Sequence, residues 1–192
     1  MIFQICKETL KVKNGQEFIV DSFPVPCCQN NKIFRCKILK GKEYRGYTAS
    51  KKTYFFGIKV HMITTVQGIP VEFVFTPGSE SDVRGLRRFE CDLREGSILY
   101  ADKAYTDYIQ EDLLQDACQI TLLPKRKKNS TRQNSAHEDF FLSLKRNRIE
   151  TTFSSITHLM PRCIQATTSR GFFLKVLFFI LGYTVKRVFQ KT

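Results

Sequence analysis

Ser97-Ile-Leu-Tyr-Ala-Asp102, the stretch Asp107 to Ala117, and Gln119-Ile-Thr-Leu-Leu123 together decide the fold. The first is a short apolar run closed by a carboxylate, the second reads as a helix, and the third is again short and apolar. Strand, helix and strand in so few residues imply a parallel pair joined by a crossover. Upstream, Glu17-Phe-Ile-Val-Asp21 follows Asn14-Gly15 and reads as a buried strand with an acid near its exit. From Phe56 the pattern alternates, with Ile58, Val60, Met62 and Thr64 on one side and Lys59 and His61 on the other. Gln67-Gly68 then offers a turn, and Val71, Phe73 and Phe75 resume the alternation, so a β-hairpin is expected. Asp82 to Arg94 suits a helix capped by Ser81 or a neighbour. Downstream, Lys125 to Arg132 forms a basic loop. His137 to Met160 is a long helix stopped by Pro161, and an apolar helix follows at about 171–189. Three antiparallel strands followed by α-β-α-β-α amount to an α/β fold, a mixed sheet flanked by helices in the order of the RNase H-like fold.

A chain of 192 residues fits one domain with a buried core. Residues 24 to 53 hold two prolines and many cations (Lys32, Arg35, Lys37, Lys40, Lys42, Arg45, Lys51, Lys52), and read as a basic excursion from that domain. With 31 Lys+Arg against 18 Asp+Glu the formal charge is +13, which favours a polyanionic partner. The seven cysteines are scattered and lack paired Cys-x-x-Cys spacing, so they read as reduced cytosolic thiols and not as a zinc site. The apolar run at the start breaks at Lys7 and Glu8, too soon for a signal peptide. The stretch 171–185 is short for a membrane span and carries Lys175 within it and Lys186-Arg187 after it, so it reads as a packing helix. His61, His137 and His158 have no partners at metal-ligand spacing and read as structural or surface groups.

The chemistry lies in acids at strand ends. Two divalent metals about 3.5 to 4 Å apart can cleave a phosphodiester, and magnesium prefers carboxylates together with retained waters. Asp21 lies near the end of the first strand and Asp102 directly follows Ile98-Leu-Tyr-Ala101, so neighbouring strands would let them share a metal. A third acid should come from a helix packed on the sheet. At about 100° per residue, and with Ile149 at the centre of the apolar face, Phe153 falls near +40°, Ile156 near −20° and Glu150 near +100°. Glu150 therefore borders the packed face, with Arg146 one turn earlier on the same flank and able to meet a phosphate.

Phe18-Ile-Val-Asp21-Ser-Phe-Pro-Val-Pro26, Gly57-Ile-Lys-Val-His61, Gly68-Ile-Pro-Val71, Asp102-Lys-Ala-Tyr105 and Arg148-Ile-Glu150-Thr-Thr-Phe-Ser154 resemble the successive blocks of DDE transposases from bacterial insertion sequences. The resemblance covers roughly residues 16 to 185. It implies an RNase H-like catalytic domain with Asp21, Asp102 and Glu150 as the metal-binding, catalytic triad. It further implies two Mg²⁺ ions, with Mn²⁺ as a substitute, double-stranded DNA as partner, no membrane, and a cytoplasmic, nucleoid-associated setting. Ala104 stands where relatives commonly carry glycine. Ser143 and Thr157 fill places that hold Tyr and Lys in some of them, and Arg146 keeps its counterpart. Gly78-Ser-Glu-Ser-Asp82 also resembles a family block, so Asp82 is a further acid to place. Relatives usually have a helical DNA-binding segment ahead of the first Asp, and only 20 residues precede Asp21, so the chain reads as lacking it.

On this reading Lys125, Arg126, Lys127, Lys128, Arg132, Arg146 and Arg148 contact DNA, and the charges of residues 32 to 52 grip phosphates. The same acids would serve an RNase H-like nuclease, and a non-catalytic DNA-binding remnant would keep the charge without the chemistry. Assembly of several copies on DNA stays open.

Overall fold

The computed structural model describes residues 16–49, 51–161 and 163–190; the expectations for residues 1–15, the missing DNA-binding segment among them, lie outside these. The strands are β1 (Glu17–Cys28), β2 (Arg45–Thr48), β3 (Thr53–Thr65), β4 (Pro70–Pro77), β5 (Ile98–Ala101) and β6 (Thr121–Pro124). The α-helices are α1 (Asp82–Leu86), α2 (Tyr108–Cys118), α3 (Ala136–Leu159) and α4 (Ser169–Phe189). The sheet runs β2-β3-β1-β5-β6, and β4 also pairs with β3. Pairing of β3 with β1, β2 and β4 is antiparallel, whereas β1–β5 and β5–β6 are parallel. The expected hairpin and crossover are both present. The β5–β6 pair is parallel because α2 returns the chain between those two strands, with Gln119 in the left-handed region turning it off the helix.

Alternation sorts the side chains into two layers. Ile19, Phe23 and Val25 of β1, with Ile58, Val60 and Met62 of β3, pack against Leu142, Ile149, Phe153 and Ile156 of α3 and Phe172, Val176 and Ile180 of α4. Phe18, Val20 and Ile63 face the other way, onto Leu86 of α1 and Leu114 of α2. Full burial of each such side chain is worth roughly 1.5–3 kcal/mol, so both faces of β1 and β3 are held by helices. A capping box starts α3, with Ser135 accepting from the Glu138 N–H and Glu138 accepting from that of Ser135. The apolar helix α4 buries one stripe and ties itself to the hairpin turn through the Tyr183 hydroxyl, which donates to the Gly68 carbonyl at 3.0 Å. No described helix is long and apolar enough to cross a membrane.

Three expectations need correction. Residues 24–28 do not leave the fold, and Asp21 lies within its strand and not near its exit: β1 runs on through Pro24 and Pro26 to Cys28, paired with β3 except at a bulge at Cys27. The Gln16 carbonyl accepts from the Ile98 N–H, so even-numbered residues of β1 turn their backbone groups toward the β5 side. Beyond Val20 that side has no strand, and the N–H groups that the two prolines lack are not missed there. The basic excursion shrinks to the 3₁₀ turns and edge strand between Gln29 and Lys52. The helix expected over 82–94 ends at Leu86, although Ser81 does cap it by accepting from the Arg84 N–H. Burial of Leu86, Phe89 and Cys91 in one layer overrides helical spacing, and Cys91 takes a positive φ of 52°. Gly85 is required, since a Cβ there would lie 2.4 Å from the His61 ring.

Candidate active site

Val20 and Ala101 are the last partnered pair of the parallel β1–β5 ladder, and Asp21 and Asp102 are the residues that follow each. Aligned residues of parallel strands share a face, so the two acids lie side by side on one face, Asp21 still within β1 and Asp102 just past the end of β5. That face belongs to α3, because Asp21 sits between Ile19 and Phe23, whose side chains both pack on that side. Asp102 caps the turn Lys103–Tyr105, its Oδ1 accepting from the Lys103 N–H at 2.8 Å.

Helix α3 brings the third group. Its apolar face seats Leu142 and Ile149, which leaves Arg146 at the rim: Nη1 donates to Asp102 Oδ1 at 3.3 Å and Nε to Glu150 Oε1 at 3.0 Å. One guanidinium therefore joins the exposed Glu150 to the acid at the end of β5. A cleft of about 240 Å³ opens between β1, β5 and α3, lined by Asp21, Tyr100, Asp102, Lys125, Ser143 and Arg146. Burial, reinforced by the negative charges of Asp102 and Asp82, pushes the Asp21 carboxyl up to about 7, against the Ser22 N–H and Arg146, which favour its ionised form. Arg146 is held above its ordinary value, chiefly by its bond to Glu150.

Asp82 belongs to a second polar group near β1. Ser22 Oγ donates to its Oδ1 at 2.9 Å, and Lys59 Nζ bonds both to that oxygen at 3.2 Å and to the Glu80 carbonyl at 2.8 Å. His61 is fully buried, 2.9 Å from Thr76 Oγ1 and 3.2 Å from the Tyr105 hydroxyl, and burial lowers it to about 4, so it is a neutral spacer at ordinary pH. His137 and His158 are exposed.

The basic loop divides into two kinds of cation. Arg126 is buried and makes a bidentate pair with Glu111 of α2, 2.7 Å at each contact. Arg132 clamps Asp112 at 2.6 and 2.9 Å and lies over the Tyr108 ring. These two hold the loop to α2. Lys125, Lys127, Lys128 and Arg148 are exposed, and Lys125 reaches the cleft.

Sequence reasoning missed Asn147 and noted Ser143 only as a departure from the family pattern; both line the cleft with Arg146. The spacing 143, 146, 147, 150 puts all four on one helical flank and could have found them. It also missed Glu17, which accepts from the Tyr100 hydroxyl and from Lys145 Nζ, both at 2.8 Å; nothing local marks contacts 83 and 128 residues apart.

Among the described residues, no three His, Cys, Asp or Glu side chains are grouped so that they could hold one metal ion. The oxygen donors at the cleft nonetheless suit a hard cation: Asp21 is a half-buried carboxyl flanked by two like charges, which a divalent ion would relieve. No curated protein and no solved structure matches the chain. A family model described as "Transposase DDE domain" does match, over residues 11–170, and on that span the chain belongs to the transposase DDE domain family.

Proposed function

We propose that this chain is the RNase H-like catalytic domain of an insertion-sequence transposase, cutting DNA at an element end and joining the freed end to a target. One observation carries the reading: Asp21 and Asp102 follow the last pair of the β1–β5 ladder, and Arg146 ties Glu150 to that strand end. Family membership and the formal charge of +13 support DNA as the substrate.

In this proposal Asp21, Asp102 and Glu150 hold two Mg²⁺ ions, for which Mn²⁺ can substitute. The ions would supply Lewis-acid activation of the attacking oxygen and stabilise the leaving oxygen. A volume of about 240 Å³ holds roughly eight waters, enough for a pair of cations with part of their hydration. The protein's own groups do the rest. Arg146 neutralises Asp102 and Glu150 and lies where a backbone phosphate enters the cleft. Lys125 offers a second positive contact at the same rim, and Lys127, Lys128 and Arg148 position the duplex without reading its sequence. Asp21 must lose its proton to bind a cation, so cleavage should rise with pH through about 7 and level off above it.

The test is incubation of the purified chain with supercoiled plasmid and with duplex oligonucleotides carrying a free 3′-hydroxyl. Mg²⁺-dependent nicking together with joined products is the expected result. Nicking without joining would favour a nuclease, and DNA binding without either would leave a non-catalytic binder.

A further inference from the structure

Cysteines gather where β1 gives way to the basic segment: Cys27 and Cys36 touch, and Cys28 and Cys163 line one cleft with Gln29 and Asn30. The register of β1 on β3 passes from Pro26 to Cys28 and skips Cys27, a bulge that breaks strict alternation at this pair. Cys27 is 2% exposed, and its Sγ lies 3.4 Å from Sγ of Cys36. Cys36 ends the turn Asn30–Arg35, its own N–H donating to the Ile33 carbonyl at 3.1 Å. That turn is pinned to β3 by Asn30, which donates to the Tyr54 carbonyl at 2.8 Å. Both sulfurs are thus carried on held backbone.

We infer that Cys27 and Cys36 are a redox-modification site, the two thiols closing to a disulfide when a small-molecule disulfide supplies the oxidising equivalent. The chemistry is asymmetric. Burial opposes ionisation of Cys36, but the N–H groups of Leu39 and Ile38 and the thiols of Cys27 and Cys28 donate to it and hold it below the ordinary thiol value. Burial and the neighbouring Cys36 push Cys27 far up, so it stays protonated. Cys36 is also the more accessible of the pair, being half-buried. Its thiolate attacks one sulfur of the small disulfide, the S–S bond breaks, and one small thiolate leaves. Cys27 then gives its proton to solvent and attacks the Cys36 sulfur of the mixed disulfide, expelling the second small thiol. In sum, two protein thiols and one small disulfide become one protein disulfide and two small thiols. The product ties the root of the basic segment covalently to β1.

The experiment equilibrates the full chain in buffers of graded reduced and oxidised glutathione, quenches it with acid and maps the peptides by mass. The expected oxidised product has lost two hydrogens and carries one internal link, Cys27 to Cys36, which dithiothreitol reverses. Cys36→Ser should prevent the link. Cys27→Ser should stall with glutathione on Cys36, and Cys28→Ser should leave the link intact, which guards against a misfolded single variant. A link from Cys36 to Cys28 or Cys163, a glutathione adduct on the exposed Cys163 while Cys36 stays reduced, or resolution in Cys27→Ser at the parental rate would overturn the assignment.

Discussion

Two arginines, each meeting carboxylates on a helix or strand end, divide this molecule between stability and chemistry. Arg126 and Glu111 form a closed unit: two contacts of 2.7 Å, with side chains only 8% and 7% exposed. Arg146 shares itself between Asp102 and Glu150 through single contacts of 3.3 and 3.0 Å, with 45% of its side chain in solvent. Coulomb attraction draws both together, but only the first has given up nearly all of its water, with Arg126 Nε left buried without a hydrogen-bond partner. A charge sealed in that way cannot be withdrawn cheaply, whereas one held loosely between two acids can be handed to a phosphate. On the proposed function, the sealed pair belongs to the scaffold and the open one to the reaction.

The largest effect that would break this comparison is on cleavage. Asp102→Asn is expected to lower Mg²⁺-dependent nicking by about three orders of magnitude or more, since several kcal/mol of transition-state stabilisation pass through metal contacts. Its denaturation midpoint should hardly move. A variant that cuts like the parent would remove the open site from the chemistry.

Stability should show the reverse ranking. Arg126→Ala strips buried Glu111 of its bidentate partner, leaving only Arg132 Nη1 at 3.6 Å, and is expected to cost about 3 kcal/mol in urea denaturation, whereas Arg146→Ala should cost under about 1 kcal/mol. The double change Arg126→Met with Glu111→Leu should recover much of the loss, because it removes the uncompensated charge. Equal costs for the two single arginine variants would dissolve the distinction.

Asp21 sharpens the contrast through pH. Its folded value of about 7 exceeds the ordinary 3.8, so the folded chain keeps a proton that the unfolded chain has lost across that window. Stability from this group is therefore greatest at low pH, falls as pH rises through the window, and is flat above about 7. Asp21→Asn should erase that slope and raise stability near pH 8 by about 2 kcal/mol, the full shift being discounted for partial solvent access. Mg²⁺ should raise the melting midpoint of the parent near that pH and not that of the variant. A parent without this slope would show that Asp21 is not the strained carboxyl of the cleft.

The smallest effect concerns the basic loop. Replacing Lys125, Lys127 and Lys128 with alanine is expected to flatten the log–log salt dependence of duplex binding by up to about 2.7, at roughly 0.9 per phosphate contact. Arg132→Ala, whose guanidinium is taken by Asp112, should leave that slope unchanged. A slope altered by Arg132 and not by the three lysines would move the DNA path.

Edge strand β2 went unread in the basic segment, but the β3–β4 hairpin, the crossover through α2, the length of α3 and the positions of Asp102 and Glu150 in their elements were legible in the sequence. Each rests on local rules: period-2 and period-3.6 patterning, a turn at Gly68, a stop at Pro161. What β1 does past Asp21 was not, because Pro24 and Pro26 read as breakers until the absence of a strand beside them on the β5 side is known. The early end of α1 likewise depends on Cys91 and Phe89 finding the core, a contact that outweighs helical propensity. Among the cations, charge and spacing made Arg126 and Lys125 look alike. Only the approach of α2, which places Glu111 and Asp112 against the loop, separates a buried ion pair from a solvated lysine, because burial and partnership are set by chain segments far apart in sequence and short-range patterning carries no record of them.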